Sequence, residues 1–241
     1  MAPRQGLPHN KRSVIPSLDA LRRRFGRPRR ERRFAPLEEL ILTVLSQHTN
    51  DGNRDRAFAS LVATFPTWER VTRAPARAVE RAIRTGGLAR TKSRVIQAIL
   101  RRIEAERRGF DLGFLNEIPL GEARDWLLSF RGVGDKTAAC VLLFSCGRPA
   151  FPVDTHILRV SRRLGWIRAD ATAADAHRLL EALIPARRYF EAHVNLITLG
   201  RRLCKPRTPR CGECPLTKGC PSSRCAAGPG GRWRRAASFI Y

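Results

Sequence analysis

The chain has 241 residues, 46 Lys+Arg against 21 Asp+Glu, and a formal net charge of +25. A hydrophobic content of 43% supplies a sizeable core for one large domain or two lobes. The charge calls for a polyanion, with nucleic acid the leading candidate. No stretch is long and apolar enough to span a bilayer and the N-terminus lacks the apolar core of a secretory signal, so no membrane contact is expected. A soluble, cytoplasmic monomer is expected, associated with the nucleoid in a bacterium. The Arg-rich opening has the composition of an organelle transit peptide, but Pro3, Pro8 and Pro16 weaken an amphipathic helix there.

In chain order, residues 1–16 read as a disordered basic segment, and Ser17 as the N-cap of a short helix through Leu18, Leu21 and Phe25. Leu37, Leu40, Ile41, Val44 and Leu45 then recur at helical spacing, as do Ala57, Phe58, Leu61, Val62 and Phe65, and later Val95, Ile96, Ile99, Leu100 and Ile103. The segment from Gly86 to Lys92 places small residues before a basic helix start. It is either a turn that contacts another backbone or an ordinary loop with a glycine C-cap. Further helices are predicted over 123–128, 136–146, 157–164, 173–184 and 189–203, and no comparable window alternates with period two. The fold class is therefore all-α. Residues 222–241 read as a flexible basic tail. Arg22, Arg23, Arg24, Arg29, Arg30, Arg32 and Arg33 are expected to add non-specific affinity for DNA.

The stretch Phe130-Arg131-Gly132-Val133-Gly134-Asp135-Lys136-Thr137 is the most informative one. Gly132 and Gly134 let the backbone turn sharply and approach another molecule with no Cβ in the way. Amides of the turn and of the helix start after it form a phosphate-binding site. Lys136 falls in the first helical turn, where the positive end of the macrodipole disfavours an ammonium ion, and a neutral lysine is a nucleophile. A simple phosphate contact is the alternative. Asp154 precedes Thr155, read as a helix N-cap, so helix amides would keep its carboxylate ionised. Such a carboxylate stabilises an oxocarbenium-like transition state or accepts a proton; the alternative is that it only caps a helix.

Cys204, Cys211, Cys214 and Cys220 follow a C-x6-C-x2-C-x5-C spacing. Structural zinc sites usually pair two short cysteine knuckles, and only one short pair exists here. A close central pair with outlying single cysteines suits the wider corners of a cubane cluster. Lys205, Arg207 and Arg210 ride on the same loop and are expected on DNA phosphates. Cys225 lies outside the pattern, and Cys140 and Cys146 read as core thiols. His156, His177 and His193 have no metal-like spacing. Aromatic residues make up 7% of the chain, too few for a single-strand stacking platform, so duplex is expected.

Arg131 through Ala138, with Val153-Asp154-Thr155-His156, resembles the helix-hairpin-helix DNA glycosylase superfamily, specifically its endonuclease III branch. Leu45 through Asp51 resembles the family's early helix-to-loop segment, Gly87 through Lys92 its wedge loop, and Leu199 through Cys204 the approach to its cluster motif. All three cysteine intervals match as well. The resemblance covers nearly all of residues 37 to 220. It implies two lobes: a helical barrel lobe over 37–148, and an iron-sulfur cluster lobe built from 17–36 plus 149–221. Lys136 and Asp154 then lie on opposite walls of a cleft. It also implies a [4Fe-4S] cluster on Cys204, Cys211, Cys214 and Cys220, serving as a structural staple.

By the same resemblance, Lys136 attacks C1′ of an extruded nucleotide in damaged or abasic duplex DNA, while Asp154 activates it and stabilises the sugar cation. The resulting Schiff base permits β-elimination at the 3′ phosphate, which makes the chain a bifunctional DNA glycosylase and AP lyase acting on oxidised pyrimidines. A buried base must first be flipped out and the gap filled. Leu88 matches the family's apolar wedge, or is a core leucine. The polar plug matches Gln47 by residue type and His48 by counting from Asp51. Two rival readings are a monofunctional uracil or mismatch glycosylase, and a DNA-binding module without catalysis.

Overall fold

The computed structural model describes residues 11–29 and 34–223. The segment before Lys11, the tail beyond Ser223, Cys225, and Arg30, Arg32 and Arg33 lie outside the described residues. In chain order the helices are α1 (Val14–Phe25), α2 (Pro36–Ser46), α3 (Asp51–Thr64), α4 (Trp68–Arg73), α5 (Ala76–Ala82) and α6 (Ala89–Arg107). They continue with α7 (Leu120–Leu128), α8 (Asp135–Cys140), α9 (Thr155–Arg163), α10 (Ala173–Leu183) and α11 (Tyr189–Arg202). Short 3-10 turns connect several of them, and no strand occurs among the described residues.

Two compact units share the chain: a central unit, Arg30–Pro152, and a terminal unit built from Met1–Arg29 with Val153–Tyr241. Residues 34–36 and 149–152, expected with the cluster lobe, belong to the central unit. Packing explains the shift. Phe34 stands edge-on to Phe58 with ring centroids 5.7 Å apart, Ala35 donates its amide to Glu38 at the start of α2, and Ala150 is fully buried.

In the central unit α2 is apolar on nearly all sides, with Leu37 and Leu40 through Leu45 buried, so neighbouring helices cover it. Asn50 caps α3 by accepting the Asn53 amide at 2.9 Å, and Thr67 caps α4. Helices α4 and α5 went unread in the sequence because six or seven residues are too few to establish a helical period. Buried Gln97 on α6 donates to Val71 O and Ala74 O, fixing the end of α4. Helix α8 runs on as one π-helical turn over Val141–Ser145, in which Val141, Leu142 and Leu143 are buried.

In the terminal unit α1 and α9 both pack on α11. Helix α1 begins at Val14 with Ser13 in the cap position, four residues before the expected cap at Ser17, and Pro16 sits inside its first turn. Proline is tolerated there because the first helical amides have no intrahelical partner. Tertiary contacts set the start: Val14 is buried, and Trp166 donates to Ser13 Oγ at 3.1 Å. Arg188 joins Asp19 of α1 to Glu191 of α11, and Asn195 donates to Gly26 O.

Candidate nucleic-acid and catalytic sites

Gly132 has a φ of 87°, and a Cβ added there would come 2.9 Å from Val95 Cγ1, so both conformation and space demand glycine. Val133 buries its side chain and donates to Phe130 O at 3.0 Å, which closes the turn. Gly134 is the residue before α8, and a Cβ there would meet nothing within 4 Å. The approach to the first amides of α8 is therefore open, as a backbone-reading turn requires. Asp135 is exposed and Lys136 half-buried, whereas Thr137 through Cys140 are buried. The helix is anchored by its interior and presents Lys136 at its rim.

Gln47 reaches this hairpin: its amide nitrogen donates to Gly132 O at 3.1 Å. Of the two plug candidates, Gln47 is thus committed to the hairpin, while His48 is exposed with a left-handed φ of 51°. Leu88 also has a left-handed φ, 48°, and is 57% exposed, which rules out a core leucine. A non-glycine residue in that region costs roughly 1–2 kcal/mol. Close beneath, Lys92 is buried and donates at 2.7 Å to both Leu45 O and Gly86 O. Burial pushes its ammonium below the ordinary lysine range.

A second buried charge lies in α2. Glu39 accepts from Thr43 Oγ1, and burial raises its carboxyl above the usual range, while the charges of Lys136 and Arg54 pull it back. Neither Glu39 nor Lys92 was singled out in the sequence. The available signal was position: Lys92 shares the apolar stripe of Ile96, Ile99 and Ile103, and Glu39 stands among leucines with a hydroxyl four residues on.

In the terminal unit Asp154 is itself the N-cap of α9, accepting the Ile157 amide at 2.7 Å, so the cap lies one residue earlier than Thr155. One carboxylate oxygen is engaged by the helix start. His156 follows in the first turn; burial pushes its imidazole below the usual range, with Asp154 opposing and Arg159 and Arg201 reinforcing. Gly200 of α11 is packed against it, since a Cβ there would fall 2.8 Å from His156 Cβ.

Cys204, Cys211, Cys214 and Cys220 all line one cavity of about 30 Å³, together with Arg163 and Leu199. Cys140 and Cys146 are buried elsewhere, as core thiols are. Burial raises the Cys214 and Cys220 thiols, and the neighbouring cysteines raise them further, although backbone amides of Leu216, Ser222 and Ser223 donate toward their sulfurs. Arg163 donates to Cys204 Sγ at 3.2 Å and to Lys205 O and Pro206 O, while Arg159 donates to Cys204 O. No three acidic, histidine or cysteine side chains converge closely enough to hold a single ion among the described residues. Four thiols that line one cavity and are offered N–H donors form a donor set suited to a metal ion or an iron-sulfur cluster. Lys205, Arg207 and Arg210 are exposed, and Arg210 pairs with Glu213 at 2.6 Å.

Residues 41–186 match the family model described as HhH-GPD superfamily base excision DNA repair protein. The chain is 34% identical over 193 residues to an endonuclease III of Thermotoga maritima, covering 80% of this chain and 86% of that protein. It is 38% identical over 189 residues to an Arabidopsis thaliana protein named for DNA glycosylase activity, covering 75% of this chain but 64% of that longer protein. Among solved structures, a trapped endonuclease III–DNA covalent intermediate superposes with a TM-score of 0.78 at 31% identity, covering 89% of this chain and 97% of that one.

Proposed function

The chain belongs to the HhH-GPD superfamily of base excision DNA repair proteins and, within it, to the endonuclease III family; from that premise we propose that it removes oxidised pyrimidines from duplex DNA and cleaves 3′ to the abasic site, with Lys136 as nucleophile. The observation that carries this reading is an amine held at the rim of a buried helix, beside a glycine turn open to a phosphate backbone. The relative trapped as a covalent DNA complex supports it.

Lys136 Nζ attacks C1′, the glycosidic bond breaks, and the base leaves with the bonding electrons and takes up a proton. Asp154, held by the Ile157 amide at the start of α9, stabilises the positive sugar and accepts the proton that the attacking amine must lose. The C1′–O4′ bond then breaks, with O4′ taking up a proton as the nitrogen lone pair forms the C1′=N Schiff base; loss of a C2′ proton next to this electron-withdrawing group expels the 3′ phosphate by β-elimination. His48 plugs the gap left by the base and Leu88 wedges the stack, because Gln47 is occupied with the hairpin. Cys204, Cys211, Cys214 and Cys220 hold a [4Fe-4S] cluster. When bound, it supplies cross-linking of the loop that carries Lys205 and Arg207, and no step of the cleavage passes through it. The protein acts as a monomer.

A panel of duplexes bearing different lesions, scored separately for base release and strand cleavage and then for borohydride trapping, tests the reading. Release of an oxidised pyrimidine with cleavage and a trapped complex is expected. Base release alone would make the chain a monofunctional glycosylase, and tight binding with no release or cleavage would reduce it to a binding module.

A further inference from the structure

The chemistry of base removal makes no use of Lys92, yet this lysine is 3% exposed and lies where the early loop after α2 meets the Gly86–Leu88 turn. We propose that Lys92 is a positioning residue that holds the Leu88 turn and the His48 loop in the shape needed to enter a duplex. The inference rests on the proposed reading of Leu88 and His48 as the groups that replace the extruded nucleotide.

One residue grips the Leu88 turn at both ends. The Lys92 backbone amide donates to Leu88 O at 2.9 Å, and its side chain donates to Gly86 O at 2.7 Å. The third bond, to Leu45 O at 2.7 Å, reaches the C-terminal end of α2, whose last carbonyls have no intrahelical donor and favour a cation. The two preceding carbonyls are already satisfied, Thr43 O by Ser46 Oγ and Val44 O by the Gln47 amide. Leu45 O is left for Lys92, so a single buried cation joins the start of the plug loop to the turn that carries the wedge.

Both loops need such a grip. His48 and Leu88 sit at φ values of 51° and 48°, a region that non-glycine residues occupy only where the surroundings hold them. Leu88 is also an apolar side chain kept in water at 57% exposure. A wedge that separates stacked bases must resist being pushed back, and a loop free to relax loses that resistance to its own conformational freedom. Without the amine, two buried carbonyls lose their donor and the turn is released to ordinary backbone angles.

Lys92→Met keeps a buried chain of similar length and removes the side-chain donors. Two substrates separate positioning from general stability: a lesion-bearing duplex, which needs the wedge, and a single-stranded oligonucleotide with an abasic site, which does not. The ratio of single-turnover rates, duplex over single strand, is expected to fall on the order of 10–100-fold. 2-Aminopurine placed beside the lesion should lose its fluorescence rise on binding. Adding Lys92→Met to Leu88→Ala should cost the duplex reaction almost nothing further, since both act through one wedge. Equal losses on the two substrates, or multiplicative losses in the double variant, would overturn the proposal. Should Lys92→Met fail to fold, Lys92→Gln carries the same ratio test. If the unmodified protein processes neither substrate, the functional reading fails and not the clamp.

Discussion

Around Gly132 the central unit fixes its loop with its own groups: a buried Val133, the Gln47 amide on Gly132 O, and a helix buried from Thr137 through Leu143. Around Cys211–Cys220 the terminal unit does the reverse. Its loop is a series of three-residue 3-10 turns with Leu216 as the buried apolar anchor, four half-buried thiols facing one cavity, and Arg163 bracing the carbonyls at its entry. The hairpin is preformed by packing, whereas the cysteine loop buries little apolar surface of its own, and in the proposed reading a cluster bridging its sulfurs holds its shape. The proposed reading thereby gives reactive chemistry and structural staple to different kinds of loop.

The largest expected effect breaks chemistry without touching fold. Lys136→Gln should abolish borohydride trapping and strand cleavage while leaving DNA affinity and thermal midpoint nearly unchanged, because Lys136 sits at the rim and not in the core. Undiminished trapping would remove Lys136 from the mechanism. Next, Cys214→Ala should lose iron and acid-labile sulfide and destabilise the terminal unit by on the order of several kcal/mol, since binding free energy at such a site is folding free energy. Protease cutting within residues 204–223, with the central unit intact, would report it. A colourless, fully active wild-type protein holding stoichiometric zinc would contradict the cluster.

Smaller effects sharpen the contrast from within each unit. Gly132→Ala forces a Cβ toward Val95 at a left-handed φ, and Gly200→Ala forces one into His156. Each should cost about 1–3 kcal/mol, measured by denaturant unfolding. Gly132→Ala should also weaken duplex binding, while Gly200→Ala should act through the seat of α9 and its Asp154 cap. Equal binding losses would blur the division of labour.

The smallest effect concerns Glu39. Burial raises its folded pKa above 4.5, so the carboxyl is protonated in both states below that value, and as pH rises the unfolded chain ionises first. Its contribution to stability is therefore greatest in acid and is lost as pH climbs through the folded value. Glu39→Gln should gain stability over wild type on going from acid to neutral pH, read from paired melting curves; a pH-independent difference would show that Glu39 titrates normally.

Much of this was legible in the chain. The hairpin, Lys136, Asp154 and the four cysteines stand in short motifs whose chemistry requires fixed spacing, and long amphipathic helices such as α6 announce themselves by period. Other features were not legible, for one recurring reason. The start of α1 is set by Trp166 and by burial of Val14, and Asp154 takes the cap itself because the helix begins one residue earlier than Thr155 suggested. Gln47 is a hairpin brace only because Gly132, 85 residues away, comes within reach.

The sequence by itself determined an all-helical, DNA-directed chain with a lysine after a glycine turn, a carboxylate at a helix start and a four-cysteine loop, since composition, period and motif spacing are local properties. Only the tertiary structure decided that Leu88 is held out in solvent, that Gln47 braces the hairpin, and that a charged Lys92 is buried between two carbonyls. Whether a charge is buried and what satisfies it depend on partners brought together from distant positions, and no local pattern records them.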